Sequence, residues 1–308
     1  MIKRTDKIEE KIKRFERAFI PDKESLILPK IENILLALDA HDWVLQSSRY
    51  AYRVTCELAT SHGAVVDIIC MAVNNEEYPD SERLVEEAVK YFEENSVAAV
   101  GSCAVGSPSE NILELIGDDH HDLLVLPSPY AERVEKGSQD SIGATIDILI
   151  TRLEEPLLLL PESKIDPVNI TQSILLPVIE KEDAPSIEWA LIFSGKDTTL
   201  EVLDIVREEH VESFKDVSSD LLDEEVEDRL IHISLREDKV PLIKALRELT
   251  SDMDLEINVT EKVGETPEIL IDKLEKTTLL ILRKGLAQAK GSKMVKETKK
   301  NGIPLLII

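Results

Sequence analysis

The chain carries nearly the same message twice. Residues 105–126 run VGSPSENILELIGDDHHDLLVL and residues 263–282 run VGETPEILIDKLEKTTLLIL. Each copy has a Val-Gly pair, a proline, an Ile-Leu pair and then an apolar run. The match resumes downstream. Gly143 and Pro156 are 13 residues apart, as are Gly291 and Pro304, and each proline leads into a short apolar run, LLLL at 157–160 and LLII at 305–308. Upstream, NILLALD (33–39) answers SILLPVI (173–179). Three matched segments in one order describe a duplicated unit of about 140 residues rather than a solenoid of short repeats. Two domains are therefore expected, 31–163 and 164–308, preceded by an extension over 1–30.

Within each copy, apolar runs alternate with amphipathic ones. Runs such as VVDIICMAV (65–73) are almost continuously apolar, which is the pattern of strands buried on both faces. Strands at 33–38, 65–73, 97–105, 122–126 and 157–160 are expected in the first copy, with helices at 42–61 and 80–95, one with Pro108 in its first turn, and one at 143–153 between them. The second copy is expected to repeat this with strands at 173–179, 199–206, 254–260, 277–282 and 303–308. Helices at 185–194, 239–250, 267–275 and 292–301 lie between those strands. Strand-helix alternation of this kind gives an α/β fold, here two tandem five-stranded parallel sheets of Rossmann-like type with right-handed crossovers. Asp42 is placed to cap the first helix and His62-Gly63 to end it. An apolar C-terminal IPLLII left in solvent would aggregate, so strand 303–308 needs a partner, and its equivalent at 157–160 is the expected one.

Residues 3–20 place Ile8, Ile12, Phe15 and Phe19 on one helical stripe that stops at Pro21. It has no counterpart in the second copy and is expected to pack on a domain face or a partner chain. Residues 220–228 form an acidic run expected to be a solvated helix face, with a docking surface for a basic partner as the alternative.

The formal net charge of −25 excludes nucleic acid as a ligand, because phosphate neutralisation needs basic patches. No apolar run approaches the roughly 20 residues that span a bilayer. Cys56, Cys70 and Cys103 have no metal-ligand spacing and suit a reducing, cytoplasmic setting. His120-His121 lacks further ligands at metal spacing and fits a polar turn. No nucleophile elbow or catalytic constellation is evident, so an enzyme is not expected.

Both halves resemble the universal stress protein domain. The resemblance rests on the opening strand ending in Asp39, on Gly106-Ser107-Pro108 before the third helix, and on the closing Gly-to-Pro-apolar blocks at Gly143 to Leu160 and Gly291 to Ile308. It covers residues 31–163 and 172–308. Many members of that family bind ATP and others do not. The resemblance assigns candidate adenine-nucleotide contacts to Asp39, with Ala40 beside it, Gly106, Pro108, Gly143, Ala144 and Thr145, and in the second copy to Gly291 and Ser292. Glycines at such positions let backbone approach phosphate, and a helix start favours anions.

The family's binding members carry Gly-x2-Gly-x9-Gly-Ser/Thr after the fourth strand. Counting back from Gly143, the first two glycine positions hold Tyr130 and Arg133, and Ala144 stands where a hydroxyl is expected. Tyr130 and Arg133 could restore affinity by stacking and charge. The second copy keeps Gly291-Ser292, but its preceding loop, 283–290, is too short, and Ile179 replaces the aspartate. Two readings stay open: a regulatory protein holding an adenine nucleotide in the first domain, or a non-nucleotide interaction module for a protein partner such as a transporter. Family members commonly dimerise through the closing strand, so one chain is expected to imitate that dimer, with a homodimer of the whole chain as a further state.

Overall fold

The computed structural model describes residues 26–41, 44–72, 74–118, 120–130, 144–207, 239–251, 253, 255–289 and 291–308. The amphipathic stripe at 3–20, Asp42, the loop through Gly143 and the acidic run at 220–228 lie outside them.

The first half runs β1 (Asn33–Leu38), α1 (Leu45–His62), β2 (Val65–Ala72), α2 (Tyr78–Glu94), β3 (Ala99–Val105), α3 (Pro108–Asp118), β4 (Leu123–Ser128), α4 (Ala144–Arg152) and β5 (Leu157–Pro161). The second half repeats it with β6 (Ser173–Val178), α5 (Ala184–Phe193), β7 (Thr199–Val206), α6 (Val240–Thr250) and β8 (Glu256–Val263). It closes with α7 (Thr266–Ile271), β9 (Leu279–Leu282), α8 (Lys284–Ala289), α9 (Gly291–Asn301) and β10 (Leu305–Ile307). The expected elements among the described residues are observed with ends shifted by a few residues, and α8 is an addition to them. Gly63 ends α1 in the left-handed conformation as expected, whereas the N-cap is Val44 without a side-chain cap. The helix expected at 267–275 is split into α7 and a 3₁₀ turn at Leu274–Lys276.

The two sets of five parallel strands do not stand as separate sheets. They form one ten-stranded sheet in the order β3-β2-β1-β4-β5-β10-β9-β6-β7-β8. The join is antiparallel, with Leu305 opposite Leu159, Leu306 opposite Leu158 and Ile307 opposite Leu157. Leu158 and Leu306 are matching positions of the two copies. A two-fold pseudo-axis therefore passes between them, as it would through the centre of a symmetric dimer.

Side chains alternate along a strand, so the inner strands of the sheet feed two cores. Leu36, Leu38, Ile68, Leu158, Leu176, Val202 and Leu306 face the layer that holds α1, α2, α5 and α6. Leu35, Ala37, Leu124, Leu157, Leu175, Leu280 and Leu305 face the layer of α3, α4, α7 and α9. Both cores run across the join without interruption. Trp189 and Phe193 of α5 belong to the same core as Tyr52 of α1, and the His62 and Phe193 rings lie 6.3 Å apart across the halves.

The two domains also share polar ties. Ile27 N–H donates to Glu188 at 2.7 Å, tying the segment before β1 to α5. Lys284 donates to the Leu153 carbonyl, and Gln288 to the Ile150 carbonyl at 3.2 Å, so α8 docks on the end of α4. Gly302 turns the chain into β10 at φ +66°, where a Cβ would stand 3.0 Å from the Glu162 carbonyl. No described helix is long and apolar enough to cross a membrane.

Leu305, Leu306 and Ile307 are 1%, 0% and 3% exposed. At about 1.5–3 kcal/mol for each buried side chain, they contribute roughly 5–9 kcal/mol. That is comparable to the whole stability of a typical domain. Deleting residues 303–308 is therefore expected to abolish cooperative unfolding in urea or to drive the chain into aggregates. A monodisperse deletion variant with an unchanged urea midpoint would contradict the pairing.

Candidate functional site

In each half the chain leaves its first strand toward one side of the sheet and later returns to the other side. The carboxyl ends of β1 and β4, and of β6 and β9, therefore flank topological switch points, the place where open α/β sheets take ligands.

In the first half Asp39 follows β1 and is 2% exposed. Its backbone is pinned by Ser48 of α1, whose hydroxyl donates to the Asp39 carbonyl at 2.6 Å and accepts from its N–H at 3.2 Å. The carboxylate Oδ1 accepts from the His41 N–H at 3.0 Å and from His41 Nδ1 at 2.5 Å. The first of these is a turn-forming contact of the kind aspartate favours. The other face of the ring, Nε2, lies 3.4 Å from Glu77, just before α2. His41 thus bridges the loop after β1 to the start of the next helix.

The end of β4 carries Ser128 and Tyr130. Tyr130, at the position of the family's first loop glycine, is fully buried in the second core with Ala37, Met71 and Leu126. It cannot stack on a ligand from there, so the expected compensating role is not available to it. Burial, then the charges of Asp39 and Cys70, push its phenol well above the usual tyrosine range. The hydroxyls of Tyr130 and Ser128 find no hydrogen-bond partner among the described residues. Ala144 and Thr145 form the first turn of α4, with Ala144 exposed. Gly143 and Arg133 lie outside the described residues.

Gly106 ends β3 at φ +135°, and its N–H donates to the Ala72 carbonyl at 3.1 Å. Gly264 does the same after β8, at φ +142° with a 3.1 Å bond to Val206. Both supply a turn that an L side chain resists. Pro108 and Pro267 then open α3 and the first turn of α7. Asp39, Ala40, Gly106 and Pro108 all sit at the same end of the sheet. Gly106 is two strands from Asp39, a separation of about 10 Å.

The second half is built differently. Ile179 takes the place of Asp39 and is buried in the core. A carboxylate returns four residues later. Asp183 Oδ2 accepts from the N–H groups of Ile179 at 2.6 Å and Glu180 at 2.9 Å, closing a reciprocal cap with Glu180. Burial pushes the Asp183 carboxyl up, against the pull of those two donors and of Arg283. Glu180 holds Arg207 at 3.1 Å and Arg283 at 2.9 Å, and Arg283 Nε lies 3.0 Å from Asp183. Arginine from the end of β9 is thereby tied to the segment after β6, across the switch point. Beside it is a cavity of about 250 Å³ lined by Arg207, Pro267, Leu270, Leu282, Arg283 and Met294.

The segment 283–290, read in the sequence as a shortened phosphate loop, instead forms α8 and contacts the first half. Gly291 and Ser292 are the first two residues of α9. Near the same end, Lys239 and Asp204 make a buried ion pair at 2.5 Å, and Lys239 also donates to the Ile205 carbonyl at 2.9 Å. Sequence reasoning missed Glu180, Asp183, Arg207 and Arg283. The Glu-x-x-Asp spacing of a capping box just after a strand was the available signal.

His121 is not a solvated turn residue. It is 7% exposed, and its Nε2 lies 3.0 Å from Asp67 Oδ2. Among the described residues no cluster of His, Cys, Asp and Glu could hold a metal ion.

With this geometry in view, comparisons with known proteins establish the fold. No protein-family model matches the sequence, and no curated protein matches it. Among solved structures, a universal stress protein from Archaeoglobus fulgidus DSM 4304 is similar over 90% of this chain and 96% of its own, with TM-score 0.61 and 12% identity. A functionally unknown protein from Pseudomonas aeruginosa PAO1 is similar over 90% and 92%, with TM-score 0.57 and 12% identity. The chain has the tandem universal stress protein fold.

The His41 bridge has a pH signature. The hydrogen bond to Asp39, with the charges of Asp39 and Glu77, raises the imidazole pKa above its ordinary 6.5 against the opposing effect of burial. A group whose folded pKa is raised stabilises fully below its unfolded pKa and loses that stabilisation as pH climbs through the folded value. The stability lost in His41→Gln should therefore be largest below about pH 6.5 and shrink above it. Urea midpoints of both proteins across pH 5–9 check this; a difference that is flat with pH would contradict it.

Proposed function

We propose that this chain is a universal-stress-protein-like regulatory protein that works as an interaction module and does not hold an adenine nucleotide in the family's manner. The observation that carries this reading is Tyr130, fully buried at the position where a binding loop has its first glycine. A glycine there lets phosphate reach bare backbone; Tyr130 instead carries a side chain that anchors this stretch in the core. The engagement of Asp39 by His41 supports the same reading, since a carboxylate 2% exposed must break that contact to meet a ribose hydroxyl. In the second half, Ile179 leaves no carboxylate at the corresponding place, and the arginine-glutamate ties span the crevice. Domains 31–163 and 164–308 would then serve as one rigid body presenting its loops to a protein partner.

The free thiols go with a reducing, cytoplasmic setting. Duplication within one chain would supply the pairing that single-domain relatives obtain by dimerising.

A second reading keeps an adenine nucleotide in the first domain. Asp39 at the carboxyl end of β1 favours it, because this is where a doubly wound sheet offers its ligand site. Under that reading Asp39, Ala40, Gly106, Pro108, Gly143, Ala144 and Thr145 line the site, with Gly291 and Ser292 at the equivalent helix start of the second domain.

Isothermal titration with ATP, AMP and cyclic AMP, with and without Mg²⁺, separates the two. The proposed module gives no heat up to millimolar nucleotide, a Kd weaker than about 1 mM or −4 kcal/mol. Saturable binding near 1 μM, about −8 kcal/mol, that disappears in Asp39→Ala would overturn it in favour of the second reading.

A further inference from the structure

We propose that Cys70 and Cys103 are a redox pair that closes into a reversible disulfide between β2 and β3. The two residues are direct partners in the parallel register of these strands. Paired residues of neighbouring strands project from the same face. Here that face is the core under α1 and α2: Cys70 is a fully buried member of it and Cys103 packs partly buried against it. The intervening turn of the pattern agrees, since a Cβ on Gly101 would strike Val85 of α2.

Neighbouring strands lie about 4.8 Å apart. That is inside the roughly 4.4–6.8 Å range of Cα separations that disulfides span, and at its short end. Closure then needs the two Cβ atoms to lean together out of the regular pleat. Such a bond stores strain and is more easily reduced, which is the character of a regulatory disulfide rather than a structural one. Cys56, on α1, lies outside this strand pair.

The two thiols have different access. Cys103 is partly exposed and meets an oxidant first, whereas Cys70 is at 0% exposure. With a hydroperoxide as oxidant, the Cys103 sulfur takes the terminal oxygen as the O–O bond breaks and an alcohol leaves. The Cys70 sulfur, losing its proton, then attacks the sulfenic sulfur. The S–S bond forms, the S–O bond breaks and water leaves. Two thiols give up two electrons and two protons, and one hydroperoxide becomes an alcohol and water.

Burial, with Glu82 and Glu86 nearby, raises the Cys103 pKa, and burial drives that of Cys70 to about 12. Thiolate is therefore scarce at neutral pH, and the reaction should be slow there and quicken with pH. Closure would also draw the Cys70 sulfur from the Ser81 hydroxyl of α2 and the backbone of Ala40. Ala40 adjoins Asp39, so oxidation acts on the loop held by His41, whichever ligand or partner that loop serves.

The test uses the full chain and tert-butyl hydroperoxide, with peptide mapping by mass spectrometry without reduction. Cys56 and Cys70 share the tryptic peptide 54–83, so the map is made in Cys56→Ser, with Cys56→Ala as the second background. The expected product joins peptide 54–83 to the peptide holding Cys103, lighter by two hydrogens, within one chain and reversed by dithiothreitol. Its rate should rise about tenfold per pH unit below the thiol pKa. Cys103→Ser should abolish it and leave Cys70 as free thiol. Oxidation of Cys103 to sulfinic acid with Cys70 intact, or only a Cys103–Cys103 link between chains, would overturn the proposal.

Discussion

The antiparallel pairing of β5 with β10 is the interaction on which the rest of the molecule depends. Each half alone would end in a strand of leucine and isoleucine with one unpaired edge, and such an edge is a site for uncontrolled association. Pairing the two equivalent edges satisfies both at once. It also makes Leu158 and Leu306 opposite members of one pair, so the two cores meet without a polar seam. Duplication on one chain fixes the stoichiometry of that contact, since each edge has its partner at an effective concentration set by the linker and independent of protein concentration.

The symmetry of the scaffold is not matched at the two switch points. In the first half a carboxylate-imidazole-carboxylate bridge ties the loop after β1 to the start of α2, and a buried tyrosine follows β4. In the second, Glu180 holds two arginines from the ends of β7 and β9, and Asp183, displaced by four residues along the chain from the aspartate's place, caps the same turn and meets one of them. Both solutions satisfy charge locally at positions where the fold leaves strand ends converging. Both leave side chains engaged in pairs at these strand ends. The equivalent loop of the second half has gone further: as α8 it now reaches over to the end of α4 and braces the join itself.

Much of the scaffold was legible in the sequence because burial on both faces imposes unbroken apolar strands, and because the duplication allowed each weak signal to be checked against its twin. The partner of β10 followed from the same reasoning about an unpaired apolar edge. What escaped was set by tertiary context. Whether Tyr130 points toward a ligand or into the core is decided by the packing around it, not by its place in a loop pattern. The helix at Lys284–Ala289 was hidden because its neighbours in space, Leu153 and Ile150, belong to the other half. His121 looked like half of a solvent-facing pair, but the first strand-end row of the sheet buries it against Asp67. Asp183 was masked by the isoleucine that stands where an aspartate was sought.

If one sheet and two continuous cores unite the halves, they must open together. Native-state hydrogen exchange, followed residue by residue as urea is raised, tests this most directly. The account predicts that the most protected amides of β1, β4 and β5 and those of β6, β9 and β10 converge on one opening free energy with one urea dependence. Two separate isotherms, one half exchanging through an opening that leaves the other protected, would contradict it.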